Sequence, residues 1–490
     1  MKMIPLFFTV AAALAVGCGQ KPDVEPDPPV PPVTPEGPVA IVYTTSVAGE
    51  RFSESTLKLG KPEDAVFYKV QRSGETFQEV DGFGLAITQA SCYNLLLMPA
   101  EERTAFLTEL FSRDKGLGSS LIRVCIGGSD FSLDEFTWCD EPGMENFAVH
   151  PLDQEWLFPV LDQIFKINPS VKIIASPWSC PKWMKIDEKD GRPYDSWTGG
   201  RLNPAYYRDY ADYFVRWIRE MEKRGYPIYA VTLQNEPLNR GNSMSLYMPW
   251  EDQRDFIREA VGPAFRAAGL RTKILLFDHN YNYDNVASQR DYPLHILEDA
   301  EAAQYVAGSA WHNYGGAVTT LDKVHDAFPD KDIYFTEASI GTWNYSFDGC
   351  LINDFRDIFL GTLGRFGKGV TLWNLMLDSE RKPFRPGGCS TCFGAVTLSA
   401  SDHKSLTRNS HYYNVAHCSK VLQPGAVRLG TKGYEDADLT YQWYRNPDGS
   451  QALLLLNEGS SVAMVNFITD KYSVSCKVPA RAIQSIRWEE

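Results

Sequence analysis

The chain reads as an α/β protein: a (β/α)8 barrel with an associated β-sandwich formed by the C-terminal tail and the N-terminal strands. Three observations predict this. Eight short β-rich runs lie between residues 82 and 375, helical stretches separate them, and both flanks carry short strand-like runs without helical periodicity. The runs are Gly82–Thr88, Leu121–Gly127, Val171–Pro177, Ile228–Asn235, Lys273–Asp278, Gly308–Tyr314, Asp332–Glu337 and Gly369–Leu375. Their interiors are Val, Ile, Leu, Ala and Phe, as expected of parallel strands buried on both faces.

The intervening helices show in their period. In Ala205–Lys223 the apolar side chains Tyr206, Tyr210, Tyr213, Phe214, Trp217, Ile218 and Met221 fall on one face, and Asn203-Pro204 is a start signal. Arg254–Ala268 has a similar stripe. An open doubly wound sheet is the alternative arrangement. However, Gly82-Phe83-Gly84 is only GxG and lacks the rest of a dinucleotide-binding loop. In the tail, Leu439–Tyr444, Ala452–Leu456, Ala463–Ile468, Tyr472–Val478 and Ala482–Trp488 are strand-like, and Asn446-Pro447-Asp448-Gly449 is a turn. The boundaries are 39–78 for N-terminal strands of the sandwich, 79–411 for the barrel and 412–490 for the rest of the sandwich.

Residues 1–17 resemble an export signal: a basic start at Lys2, then an apolar run from Ile4 to Val16 too short for a membrane anchor. Ala15-Val16-Gly17-Cys18 resembles a bacterial lipoprotein cleavage box, which implies lipidation of Cys18. Residues 18–38 form a lipid-anchored tether, with eight prolines among residues 21–38 that favour an extended chain. Asp23, Glu25 and Asp27 resemble the signal some Bacteroidetes lipoproteins use to reach the cell surface. The expected location is the outer membrane, facing outward, with the periplasmic face as alternative. A monomer is expected.

Sixty-two acidic residues against 48 Lys and Arg give a net charge of −14, which opposes binding to nucleic acid or anionic lipid and suits a neutral ligand. The membrane is reached only through the anchor. Twelve Trp and 24 Tyr offer faces on which sugar rings can stack. Of ten cysteines, Cys389 and Cys392 form the one CxxC; a loop disulfide or free thiols are expected there. A zinc site using His417 and Cys418 is conceivable but lacks a full ligand set. No metal or cofactor is expected.

In such a barrel, chemistry gathers at the C-terminal ends of the strands. Those ends carry Arg123, Asp130, Trp178, Asn235, Glu236, Asp278, His279, His312, Tyr314, Glu337, Trp373 and Asn374. Glu236 and Glu337 lie at the ends of strands four and seven, facing one another across the barrel mouth. Glycoside cleavage needs two carboxyl groups, one to give a proton and one to attack. A gap of roughly 5 Å suits double displacement and roughly 6.5–9.5 Å suits inversion.

Asn235-Glu236-Pro237 followed by Glu337 resembles the clan of retaining (β/α)8 glycosidases. Gly82-Phe83-Gly84, Ile122-Arg123-Val124, Ser129-Asp130-Phe131-Ser132, Ala175-Ser176-Pro177-Trp178, Gln253-Arg254-Asp255-Phe256-Ile257, Thr336-Glu337-Ala338 and Trp373-Asn374-Leu375 narrow this. The chain resembles glycoside hydrolase family 30, the family of glucosylceramidase. The resemblance implies that Glu236 is the acid/base and Glu337 the nucleophile. It implies Asn235 on the sugar 2-hydroxyl and Arg123 beside Glu337. Asp130, Trp178 and Trp373 would grip the sugar, His312 and Tyr314 would bond Glu337 or the sugar, and Asn374 would be a further contact. The Gly387–Gly394 loop resembles that of the β-1,6-glucanase branch. The expected activity is therefore that of a retaining endo-β-1,6-glucanase acting on a neutral β-glucan. The alternatives are an exo-acting β-glucosidase or glucosylceramidase-like enzyme and, from another class, a non-catalytic surface glycan-binding lipoprotein.

Overall fold

The structure, a computed structural model, describes residues 37–282 and 286–490. Cys18, the export signal and nearly all of the tether lie outside the described residues. Among the described residues no helix is long and apolar enough to cross a membrane.

Eight parallel strands form the barrel: Gly82–Leu85, Leu121–Cys125, Lys172–Ser176, Ile228–Thr232, Lys273–Asn280, Gly308–His312, Asp332–Glu337 and Gly367–Leu372. Each expected run is present. Several end earlier than the sequence suggests: Thr88 caps the helix Gln89–Leu97 instead of extending strand one, and strand four stops at Thr232. The ring closes where strand one meets strands eight and two. Gly82–Leu85 pair with Gly369–Leu372, and the Ile87 N–H donates to the Arg123 carbonyl at 2.8 Å.

The glycines at residues 82 and 84 make this closure possible. A Cβ on Gly84 would lie 1.8 Å from the Leu121 carbonyl oxygen, and one on Gly82, at φ +144°, would lie 2.2 Å from Ser120 Oγ. The GxG thus serves close strand packing rather than phosphate binding.

Inside the barrel the side chains form layers. Leu121, Ile174, Ala230, Leu275, Ala310 and Tyr334 form an apolar layer. Two residues further along five of these strands stand Arg123, Ser176, Thr232, His312 and Thr336, a polar layer at the mouth. Strand five breaks the alternation. A register shift between Phe277 and His279, with positive φ at Phe277 (71°) and Asp278 (62°), makes Asp278 the sixth member.

The helix expected over Ala205–Lys223 starts with a 3-10 turn at Pro204–Tyr206 and continues as Tyr207–Lys223, burying Tyr210, Phe214, Trp217 and Met221. The second amphipathic stretch spans Trp250–Ala267 with a π-helical turn at Ile257–Val261.

The other layer is a nine-stranded sheet. Its N-terminal strands are Val39–Ser46, Ser53–Lys58 and Lys69–Val80. Six more follow the barrel, from Ala426–Gly433 to Ala482–Trp488. The sheet curls until its two ends meet, with Gly60 and Ser473 exchanging hydrogen bonds of 3.0 and 2.9 Å around a core that includes Trp443, Phe467 and Trp488. Its other face joins the barrel core: Leu453 and Leu455 point into the sheet's own core, Leu454 and Leu456 into the barrel's.

One expectation is corrected. Residues 412–421 do not belong to a strand. They form most of the helix Ser410–Val421, which is buried on nearly every side and so carries no one-sided stripe. His417, within it, bonds Ser485 Oγ at 2.9 Å and Thr45 Oγ1 at 2.8 Å, so it serves the packing of helix on sheet and not a zinc ion.

Gly84→Ala should cost about 1–3 kcal/mol or more, as overpacking of a tight contact does. An unchanged urea midpoint would show that strands one and two can separate without loss.

Candidate active site

The site is built around Arg123, which has no exposed surface. Its Nη1 donates to Glu337 Oε2 at 2.6 Å; its Nη2 donates to Asn235 Oδ1 at 2.6 Å and Asp278 Oδ2 at 2.9 Å; its Nε lies 3.3 Å from Ser176 Oγ. The guanidinium also stands 4.9 Å from the Trp178 ring and 5.4 Å from the Trp373 ring. Burial opposes its charge, but Asp278 and Glu337 more than compensate, and its pKa rises further.

Asp278 is the counterweight. Besides Arg123 it accepts from Ser176 Oγ (2.9 Å), Thr232 Oγ1 (2.7 Å) and Thr336 Oγ1 (2.6 Å), and its Oδ1 is 3.1 Å from His312 Nε2. Burial would raise its carboxyl; Arg123 and His312 hold it well below the ordinary range. It is therefore an anion throughout the working pH range.

Glu337 ends strand seven. Besides Arg123, it is approached by the Tyr314 hydroxyl, 3.1 Å from Oε1. Glu236 lies four residues past the end of strand four, with φ +44°, a conformation costly for a non-glycine residue. The surroundings fix it: its N–H donates to the Asp278 carbonyl at 3.0 Å and its own carbonyl accepts from the Asn239 N–H at 2.8 Å. Asn239 Nδ2 donates to Glu236 Oε2 at 2.7 Å.

One imidazole lies near both carboxyl groups. His312 Nδ1 is 3.2 Å from Glu236 Oε1 and 4.0 Å from Glu337 Oε1, which bounds the gap between those two oxygens at about 7 Å. Burial raises Glu337 above its ordinary pKa, against the pull of His312 and Arg123. Burial raises Glu236 too, but His279 and His312 draw it down, to about 2. His279 is itself pushed down to about 4 by burial, so its pull is gone at neutral pH. His312 is pushed down by burial but raised to about 9 by Glu337, Asp278 and Glu236. The 3.2 Å hydrogen bond between His312 Nδ1 and Glu236 Oε1 gives this pair a path for one proton.

The two carboxyl groups thus differ in kind. The partners of Glu337, a guanidinium and a phenol, only donate to it at neutral pH, whereas Glu236 has a partner that can exchange a proton. Glu236, His279 and His312 each offer a ligand atom within 4.8 Å of one another, a set that could also hold a divalent ion.

The cleft above them has a volume of ≈ 270 Å³, and Asp130, Tyr314 and Trp373 are among its lining residues. Burial, then the charges of Glu337 and Glu236, raise Asp130 well above the carboxylate range, so it can donate a hydrogen bond. Trp178, 2% exposed, stacks against Trp373, ring centroids 4.9 Å apart. Asn374 is buried below, its Oδ1 3.5 Å from Ser91 Oγ. The sequence reading named Asp278 and His279 as strand ends but gave them no role. The Asp278 hub depends on the bulge in strand five, which leaves no periodic signal.

Nearby loops are tied by Lys185, whose buried Nζ donates to the carbonyls of Ser196 (2.9 Å), Gly199 (2.8 Å) and Ser245 (2.9 Å).

Because the folded state raises His312 from 6.5 to about 9, its proton stabilises the fold fully below pH about 6.5, and this contribution is lost as the pH rises through about 9. The difference in unfolding free energy between the wild type and His312→Gln should shrink over that window. A pH-independent difference would mean His312 is not charged in the folded protein.

Two family models match the barrel and the C-terminal strands of the sheet: the glycosyl hydrolase family 30 TIM-barrel domain over residues 80–422 and the family 30 beta sandwich domain over residues 425–486. The chain is 33% identical over 406 residues to the endo-1,6-beta-D-glucanase BGN16.3 of Trichoderma harzianum, covering 78% of each chain. It is 29% identical over 404 residues to the lysosomal acid glucosylceramidase of Mus musculus, covering 78% of this chain and 76% of that one. The solved structure of the endo-beta1,6-glucanase BT3312 superposes with a TM-score of 0.89 at 49% identity, covering 92% of this chain and 99% of that one. A TIM-barrel domain followed by a beta sandwich domain is what the two family models describe, and the chain belongs to glycosyl hydrolase family 30.

Proposed function

We propose that this protein is a retaining endo-β-1,6-glucanase that cleaves its substrate by double displacement. The observation that carries the mechanism is the pair of buried carboxyl groups at the barrel mouth, one ion-paired to a buried arginine and the other hydrogen-bonded to an imidazole. Glu337 attacks the anomeric carbon while Glu236 protonates the departing glycosidic oxygen; the C–O bond to the leaving sugar breaks and an ester to Glu337 forms. Esterification removes the Glu337 charge, so Glu236 no longer feels that anion. It then takes a proton from water as the water attacks the anomeric carbon and the C–O bond to Glu337 breaks, which regenerates both residues. Arg123 Nη2 orients Asn235, whose amide nitrogen is left to meet a sugar hydroxyl.

Specificity for β-1,6-glucan is supported by the two glucanase relatives and by the Gly387–Gly394 loop beside the cleft. The sequence before residue 39 supports an exported enzyme, anchored through a lipid on Cys18 and acting on polysaccharide outside the cell. The net charge of −14 fits a neutral glycan.

Glu337→Gln should lower kcat by several orders of magnitude with the fold intact by circular dichroism, since its attack has no substitute. Near-wild-type rates in the folded variant would sink the nucleophile assignment. Glu236→Ala should regain turnover of activated aryl glucosides when azide is added, because azide can attack the ester without a general base. A variant dead on every substrate, with no azide effect, would remove Glu236 from the acid/base role.

Substrate choice is read with pustulan, laminarin, xylan and aryl β-glucosides. Gentio-oligosaccharides released from pustulan alone are expected. Activity confined to xylan would overturn the glucanase reading, and glucose as sole product would move it to exo-action.

A further inference from the structure

One wall of the cleft is unused by the two glutamates and the arginine. Beyond Glu337 the chain continues Ala338-Ser339-Ile340-Gly341-Thr342-Trp343, and Trp343 keeps 55% of its surface open while lining the same cleft. An exposed indole leaves a large apolar face uncovered. Trp373, by contrast, is only 3% exposed.

The turn carrying Trp343 is firmly held. Its ring lies against Gly341, where a Cβ would meet Trp343 Cζ3 at 2.0 Å and the Thr391 carbonyl oxygen at 2.5 Å. The Tyr345 N–H donates to the Gly341 carbonyl at 3.1 Å, and the Tyr345 ring meets Phe393 edge-on at 5.2 Å. A two-residue antiparallel pairing, Ile340 with Phe393 and Gly341 with Cys392, joins this turn to the loop after strand eight, and the Thr342 N–H donates to the Thr391 carbonyl at 2.9 Å.

So short a ladder is marginal by itself. The loop that supplies it is closed by the Cys389–Cys392 disulfide, which also lines the cleft. On its other side the same loop reaches the residues after strand two. The Arg385 N–H donates to the Asp130 carbonyl at 2.8 Å, and its guanidinium donates to Glu135 Oε2 at 3.2 Å.

We infer that Trp343 is a specificity-determining residue, a platform that stacks a second glucosyl unit next to the one whose bond breaks, and that the Cys389–Cys392 disulfide holds this platform in place. The inference rests on the glucanase reading above. The apolar C–H face of a glucose ring covers an indole without needing charge, and Ser339 and Asn242, also on the cleft, offer hydrogen bonds at its rim. A 1,6 linkage contains an extra rotatable bond, so the neighbouring ring is oriented by the protein and not by the linkage; a fixed platform removes that freedom before reaction.

The test compares Trp343→Ala, Trp343→Phe and the double variant Cys389→Ser/Cys392→Ser with the wild type. Two rates are measured: turnover of a β-1,6-linked gluco-oligosaccharide, and inactivation by 2-deoxy-2-fluoro-β-glucosyl fluoride, whose leaving group carries no second ring. Trp343→Ala should lose about tenfold in oligosaccharide kcat/KM, chiefly through KM, as truncation of an aromatic anchor does. Trp343→Phe should recover most of it. Inactivation should change far less, by under about twofold. The double cysteine variant should shift the same way and add little when combined with Trp343→Ala.

Equal losses in both rates, or wild-type oligosaccharide kinetics in Trp343→Ala, would overturn the platform. Full additivity would overturn the role of the disulfide. A wild-type enzyme that the fluoride does not inactivate would overturn the double-displacement reading itself, and the platform with it.

Discussion

The constraint on which the site depends is a permanently charged guanidinium with no access to water. Removing Arg123 from solvent carries a large desolvation cost, repaid only if its donors meet acceptors in good geometry. Asp278, Glu337, Asn235 and Ser176 supply those acceptors, and two indoles lie within reach of its face. Each is fixed by that need. The position of Glu337 and the orientation of Asn235 are therefore consequences of neutralising a charge inside the barrel.

The same accounting explains why the two glutamates differ. Within the polar layer, Arg123 and His312 face Asp278, Glu337 and Glu236. With Arg123 charged, His312 neutral and all three carboxyls ionised, the layer would carry two excess negative charges in a buried volume. The one proton on the Glu236–His312 pair halves that excess. The pair is a unit, so a change at His312 moves the behaviour of both carboxyls, and effects of substitutions in this layer do not add.

The loops extend this logic outward. Lys185 places an ammonium among backbone carbonyls of two segments that flank the cleft, with burial pushing its pKa down to about 8. The loop after strand eight connects the segment carrying Asp130 with the turn carrying Trp343. The curled sheet contributes from behind: strand Gln451–Asn457, buried on both faces, continues the barrel core, and the helix Ser410–Val421 is packed between the two layers. The cleft is thus carried by elements that cannot move independently.

The sequence by itself determined the eight strands, because apolar runs that end in polar residues are a local pattern, and it determined Glu236 and Glu337, because strand ends are where a barrel exposes chemistry. It did not separate inward from outward positions, since strands covered on both faces show no alternation; that Arg123 stands beside Glu337 came only from the family resemblance. Asp278 points inward only because a bulge with two left-handed residues shifts strand five by one position. The helix at residues 410–421 was illegible because burial on all sides erases the stripe that marks a helix. Trp178 and Trp373 follow strands three and eight, far apart along the chain, yet their rings stack 4.9 Å apart beside Arg123. Which side chain meets the cleft is set by contacts between residues far apart in sequence, and these exist only once the ring of strands has closed.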